Sequence, residues 1–366
     1  MTEKTLLAVD GNSLVHRSFH ALAGSNLRTA DGRPTWAVKG FCSQMLGALE
    51  RVGAHGLVVG FDDHTTSERK ARWPHYKATR KPKPPELGQQ LAMTIELLRS
   101  AGVHVVVPAG LEADDVLASA ARTAADAGWR TVLVTSDRDS FALIDDTTSV
   151  LRLINGGIDA SPLLTPDRLV TLVGVHPHQY REYAAMRGDT SDNLAGIVGV
   201  GEKTAAKLLA EFCTVEAAFA DVDAGGAAVA AALGKACVTK LAKRENREAF
   251  ARNVEIMTMR TDIDLGLDLA GGAGCLPVTE APLLAALESF ELAGIRNLAA
   301  RTLTDTSATT TTGGDGTFAR PWPVEPPPDG YEPEYPARVP SRRPATAPVV
   351  AGSSPARPAQ WQYTLF

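Results

Sequence analysis

Four short apolar or β-branched runs punctuate the first third of the chain: residues 5–9 (TLLAV), 57–61 (LVVGF), 103–107 (VHVVV) and 131–135 (TVLVT). Stretches with helix-spaced apolar positions lie between and after them, such as GFCSQMLGALERV and DDVLASAARTAADAG. Strands alternating with helices predict an α/β domain built on a mainly parallel sheet. From about residue 165 to 300 the pattern becomes all-helical. Beyond it the composition changes sharply, to TDTSATTTTGGDG and then PWPVEPPPDGYEPEYPARVPSRRPATAPVV. Runs of Thr, Gly and Pro bury too little apolar surface to offset chain entropy, so residues 304–360 are expected to be a disordered linker. The last residues, QWQYTLF, are apolar again.

Nine acidic residues fall at the ends of apolar runs or at the starts of helix patterns. They are Asp10, Asp62, Glu112 with Asp114 and Asp115, Asp137 with Asp139, and Asp189 with Asp192. Singly, each has a structural explanation: Asp10 as a turn residue before glycine, Asp114 as an N-cap, Asp192 as part of a loop. Together they mean more. Ligands of open α/β sheets gather outside the carboxyl ends of the strands, so one pocket can collect Asp10, Asp62 and Asp137. Glu112 and Asp115 are three apart at a helix start and face the same way, where the dipole tolerates negative charge. Clustered carboxylates cannot all ionise cheaply. Hard divalent cations relieve that repulsion, and two of them about 3.5–4 Å apart are the common machinery for cutting phosphodiesters.

The chain has 366 residues, 44% of them hydrophobic, with a net charge of −5. The acidic balance conceals two basic segments, ERKARWPHYKATRKPKPPE and KACVTKLAKRENREAFAR. Local positive surface, rather than net charge, holds phosphates. The first segment carries Arg69, Lys70, Arg72, Lys77, Arg80, Lys81 and Lys83, with Trp73 and Tyr76 among them. The four cysteines are scattered without a Cys-x-x-Cys pair, so neither zinc nor a disulfide framework is indicated. The N-terminal apolar run is too short for a signal peptide, and no stretch approaches the ~18–20 apolar residues of a membrane helix. The expectation is a cytoplasmic protein with no membrane partner. No heptad pattern suggests oligomerisation, so a monomer is expected.

The strings VDGNSLVHRSFHAL, FDD…RWPHYKATRKPKPPEL, LEADDVLA, TSDRDSFALI and MRGDTSDNLAGIVGVGEKTAAKLL resemble, in order, the motifs of bacterial 5′-nucleases. That family includes the 5′–3′ exonuclease domain of DNA polymerase I and the flap endonucleases. The resemblance covers about residues 4–300 and by length suggests a stand-alone form. It implies a PIN-like α/β nuclease core (1–185) with a gateway or arch over residues 64–90. A helical helix-three-turn-helix DNA-binding region (186–303) would follow. All nine acids would ligate two divalent cations, Mg²⁺ or Mn²⁺. Asp10, Asp62, Asp114 and Asp115 would group with one, and Asp137, Asp139, Asp189 and Asp192 with the other.

The resemblance also assigns the basic residues. Lys77 and Arg80 would contact the scissile phosphate, with Arg72, Tyr76, Lys83, Arg17 and Phe19 contacting DNA around them. Aromatics can stack on unpaired bases while cations grip phosphates. His16 and His20 would be polar neighbours rather than ligands. Gly199 and Gly201 precede a helix start whose N–H groups can bind phosphate, aided by Lys203 and Lys207. The family often places K⁺ between this turn and DNA. The substrate would be a junction: DNA with a 5′ flap, nick or gap, and RNA/DNA primers, recognised without base reading. Gln362, Leu365 and Phe366 (Gln-x-x-Leu-Phe, within 361–366) resemble the motif that bacterial repair proteins insert into the sliding clamp. The alternatives are a catalytically silent junction binder of the same fold and a PIN-type ribonuclease.

Overall fold

The central strand explains the site. Strand β1 (Thr5–Asp10) is a continuous apolar run, and Leu6, Leu7, Ala8 and Val9 are all fully buried. A strand apolar on both faces belongs in the middle of a sheet covered on both sides. The structure, a computed structural model that describes residues 3–304, places it there.

Helices α1 (Gly11–Leu22) and α2 (Trp36–Val52) follow, then strand β2 (Gly56–Gly60). Next come the short helix α3 (Glu68–Arg72), helix α4 (Pro85–Ser100) and strand β3 (His104–Val106). Helix α5 (Ala113–Asp126) leads into strand β4 (Arg130–Thr135). These four strands match the four apolar runs. Two further strands carry no such run: β5 (Thr148–Arg152) and β6 (Leu163–Leu164). Strand β5 is hidden because it buries polar residues, Thr148 and Ser149, which break its apolar pattern. The sheet order is β3-β2-β1-β4-β5-β6, parallel except for β6. Helix α5 packs Val116, Leu117 and Ala120 with Leu6, Ala8 and Val58 in one core. Helices α1, α2 and α4 pack on one another, and each also packs against the sheet.

The helical part contains α6 (Pro166–Val173) and α7 (Pro177–Arg187), a two-strand hairpin of β7 (Gly188–Asp189) and β8 (Leu194–Ala195), and α8 (Glu202–Phe212). It continues through α9 (Val215–Asp223), α10 (Ala227–Leu233), α11 (Lys235–Ala242) and α12 (Arg244–Ile256). The chain then returns to the sheet. The Leu57 N–H donates to the Gly274 carbonyl at 2.8 Å, and the Leu276 N–H to the His55 carbonyl at 2.9 Å. Helices α13 (Glu280–Ser289) and α14 (Arg296–Leu303) pack on α4 and α2 respectively, as part of the α/β core. Among the described residues, no helix is long and apolar enough to cross a membrane. The expected linker and the motif at Gln362, Leu365 and Phe366 lie outside the described residues.

Candidate active site

Strand order reverses between β1 and β4, since β2 and β3 lie to one side of β1 and β4 to β6 to the other. Open α/β sheets bind their ligands at such a switch point. Asp10 ends β1 there and N-caps α1, accepting from the Ser13 N–H at 2.9 Å. Its second oxygen accepts from the Thr135 hydroxyl at 2.8 Å, tying β1 to the end of β4. Asp62, two residues past β2, accepts from the Asn12 side-chain amide at 2.7 Å and the Ala113 N–H at 2.9 Å. Asn12 returns the bond through its carbonyl oxygen, which accepts from the Asp62 N–H at 3.0 Å. Asn12 is thus a positioning residue that the acidic pattern does not mark.

Asp114 stands in the first turn of α5, Asp137 and Asp139 follow β4, and Asp189 and Asp192 belong to the β7–β8 hairpin. Asp137 reaches solvent two residues past β4 and accepts from the Asp139 N–H at 2.9 Å. Asp189 turns the hairpin by accepting from the Ser191 N–H and hydroxyl, each at 2.7 Å. The hairpin is possible only with glycine at 188. There φ is +76°, and a Cβ would lie 2.4 Å from the Gly196 nitrogen.

Electrostatics joins these side chains into one group. Asp10 is pushed up to about 7, first by burial and then by repulsion from Asp62 and Asp137. Asp114 is raised well above the usual range by burial, Asp137 and Asp10. Asp139 is raised likewise by burial and by Asp137, Asp189 and Asp192. Asp137 is raised by desolvation among these acids and by Asp192 and Asp189. The two expected sets therefore meet at Asp137, which acts on members of both. One oxygen of Asp114 is buried with no hydrogen-bond partner.

A buried, unpartnered carboxylate oxygen amid mutually repelling acids fits a divalent cation. Among the described residues no three such side chains converge closely enough to grip an ion unaided.

Two of the nine acids, Asp115 and Glu112, also hold the basic segment in place. Asp115 is fully buried and takes a bidentate pair from Arg69 at 2.6 and 2.7 Å, plus the Arg260 N–H at 2.9 Å. Glu112 accepts from Lys77 Nζ at 2.8 Å and the Tyr76 hydroxyl at 3.0 Å. Burial would raise both carboxyls, but Lys77 holds Glu112 below its ordinary value and Arg69 does the same for Asp115. These acids fasten the basic segment onto the site.

The basic segment is drawn down over the acids. Lys77 lies between Glu112 and Asp192, the latter at 4.0 Å, and its backbone takes a positive φ of 56°. Burial would lower its ammonium, yet Glu112 and Asp192 more than offset this and raise it. Arg80 pairs with Asp192, and Arg72 with Glu255. Lys83 is exposed at the same mouth. Beside it His16 is held down to about 4 by burial and by Lys83, His20 and Arg80, so it is neutral near pH 7. Arg17 bonds Asn155 at 3.1 Å. Two expected DNA contacts are corrected. Phe19 is buried against Trp36, and Tyr76 is buried with its hydroxyl on Glu112, so neither ring has a free face for a base.

Farther along, Gly199 and Gly201 are exposed in the turn before α8, with Lys203 and Lys207 exposed on that helix. At this turn, where K⁺ was expected, the Gly199 carbonyl accepts from Lys240 Nζ at 2.7 Å.

The raised carboxyls predict how the metal-free protein responds to pH. Asp10 binds a proton in the folded state up to about pH 7, whereas the unfolded chain releases it near 3.8. Folded stability from this group therefore falls as pH rises between those values. Glu112 and Asp115 are shifted the other way and act below the ordinary carboxylate range. In EDTA the melting temperature should decline from about pH 5 to about pH 7.5, and Mg²⁺ should remove most of the decline. A melting temperature that rises over that interval in EDTA would contradict this account.

Comparisons with known proteins agree with the geometry. Residues 5–174 match the family described as 5′–3′ exonuclease, N-terminal resolvase-like domain. Residues 175–274 match 5′–3′ exonuclease, C-terminal SAM fold. The chain is 38% identical over 261 residues to DNA polymerase I of Mycobacterium tuberculosis, covering 71% of this chain and 28% of that protein. It is 40% identical over 218 residues to the thermostable DNA polymerase I of Thermus aquaticus, covering 60% of this chain and 25% of that one. The chain thus spans under a third of these relatives' length. Among solved structures, the zinc-bound T5 5′-exonuclease matches with a TM-score of 0.55 at 20% identity, covering 69% of this chain and 89% of that one. The catalytic core of Rad2 in complex with DNA substrate matches with a TM-score of 0.52 at 16% identity, covering 82% of this chain and 91% of that one. At these identities the two structures speak for the fold.

Proposed function

The chain belongs to the 5′–3′ exonuclease family, and from that premise we propose a metal-dependent, structure-specific 5′-nuclease. It hydrolyses phosphodiesters at 5′ flaps and nicks and removes RNA primers during replication and repair. The observation that carries this reading is the group of repelling carboxylates at the sheet's switch point, roofed by a cationic segment. Asp10, Asp62, Asp114, Asp137, Asp139, Asp189 and Asp192 would hold two divalent cations, Mg²⁺ or Mn²⁺. When bound, such ions supply an activated water and neutralise charge on the attacking and leaving oxygens.

The chain's own residues do the rest. Lys77 and Arg80 orient the scissile phosphate, exchanging Glu112 and Asp192 for phosphate oxygens as DNA enters. Each cation keeps charged oxygen partners, and Glu112 keeps the Tyr76 hydroxyl and Arg69 as Lys77 turns to phosphate. Asn12 fixes the Asp62 carboxylate and Thr135 fixes that of Asp10, so the acids need not reorganise. Arg17, Arg72 and Lys83 line the approach, while Gly201, Lys203 and Lys207 hold duplex phosphates. A labelled double-flap DNA incubated with Mg²⁺, Mn²⁺ or EDTA tests this. Metal-dependent cutting near the base of the 5′ flap is expected. Tight binding without cutting under every condition would instead make the protein a silent junction binder.

The partner of Gln362, Leu365 and Phe366 is the bacterial sliding clamp, with the two apolar residues as the buried anchor. The protein acts as a monomer, which light scattering would check. A clamp pull-down should lose the nuclease when residues 361–366 are deleted. Unchanged capture would remove the clamp from its partners.

A further inference from the structure

The turn between β8 and α8 carries its own cation. The Gly199 carbonyl points at α11, where Lys240 lies in the last turn and donates to it from Nζ at 2.7 Å. The lysine stem is pressed against the turn. A Cβ on residue 199 would meet Lys240 Cε at 2.8 Å and Nζ at 2.9 Å, and φ there is +78°. Glycine suits 199 because of this backbone conformation, and its missing side chain leaves the lysine end room to lie against the turn.

A buried amide fixes the arrangement. Asn246 is only 2% exposed. Its Nδ2 donates to the Lys240 carbonyl at 2.8 Å, and its Oδ1 accepts from the Val198 N–H at 3.2 Å. One side chain therefore pins the root of the lysine and the turn to each other. Lys240 itself is half-buried, and an ammonium has three donors. One is used on Gly199, leaving the others for a phosphate arriving at the turn.

We propose that the Lys240 ammonium takes the place of a bound monovalent cation at this turn, so that duplex binding by this chain is indifferent to K⁺. An ammonium and a potassium ion ask the same thing of a carbonyl oxygen and carry the same charge. They cannot share one oxygen without like-charge repulsion. The tethered cation has already given up its freedom, whereas a free ion must be drawn from solution and ordered at each binding event. This inference rests on the DNA-binding reading above and concerns only how the turn meets phosphate.

The test is fluorescence anisotropy with a nicked, 5′-flapped duplex, in EDTA so that no cutting occurs. K⁺ is exchanged for tetramethylammonium at fixed ionic strength. The wild-type Kd should stay the same within about twofold. Lys240→Met should bind roughly tenfold more weakly in tetramethylammonium, and K⁺ should restore most of that loss. Wild-type binding that tightens severalfold with K⁺ overturns the inference. A Lys240→Met loss that K⁺ does not restore also overturns it, since Lys240 would then be an ordinary phosphate contact. Absence of binding by the wild type in both salts overturns the DNA-binding reading and this inference with it. The wild-type comparison needs no variant, so it stands even if Lys240→Met fails to fold.

Discussion

Alanine at Asp137 should abolish flap cleavage while leaving the protein folded and able to bind a nicked duplex. Alanine at Asp189 should do the same. Residues that merely support a metal's ligands typically cost 10–100-fold when removed, so a ligand proper should cost roughly 10³-fold or more. Asp137 is the more telling of the two because it repels both groups of acids, raising Asp10 and Asp114 on one side and Asp139 on the other. Removing it subtracts a shared charge from the centre of the site. Asp189 sits at the hairpin tip, where glycine at 188 forces the turn. Duplex affinity should hold or improve slightly, since a negative charge near the phosphates has gone. Single-turnover cleavage and anisotropy on the same DNA separate the two effects. Near-wild-type cleavage by either variant would remove that residue from the site.

The second large effect concerns stability. Arg69→Ala should lower unfolding free energy by about 3–5 kcal/mol, because it leaves a buried carboxylate uncompensated. Arg69 spans three elements: bidentate bonds to Asp115 on α5, and bonds to the Ile256 and Thr258 carbonyls at the end of α12, from its own place on α3. Its side chain is 11% exposed and that of Asp115 is 0% exposed, so solvent screening offers little relief. A loss of that size corresponds to a fall in melting temperature on the order of 10 °C. Arg69→Lys should recover only part of it, since a single ammonium cannot form the planar double contact. Adding Asp115→Ala to Arg69→Ala should cost much less than the sum of the single losses. Strict additivity in that cycle, measured by denaturant unfolding, would show that the pair is not coupled.

The parallel sheet was legible because β1, β2 and β4 carry apolar or β-branched runs, and burial on both faces requires that composition. Strand β5 was not, since Thr148 and Ser149 place polar side chains at buried positions within a sheet strand. The return of α13 and α14 to the core was also invisible. Helix-spaced apolar residues declare that a face will be buried without saying against which neighbour.

The carboxylates divide in the same way. The chain by itself determined that Asp10, Asp62 and Asp137 would meet, because parallel strands deliver their carboxyl ends to one edge. Only the tertiary structure decided which acids acquire partners from the basic segment. Glu112 and Asp115 share a helix start with Asp114, yet Lys77, Tyr76 and Arg69 claim them, leaving Asp114 with an unpartnered oxygen. Phe19 and Lys240 show the same limit from opposite sides: an aromatic in a motif turned into the core, and a lysine outside any motif brought onto the Gly199 carbonyl. Local sequence fixes which groups a strand end or helix start can present. Which of those groups stay free depends on partners distant in the chain, and folding alone brings them into contact.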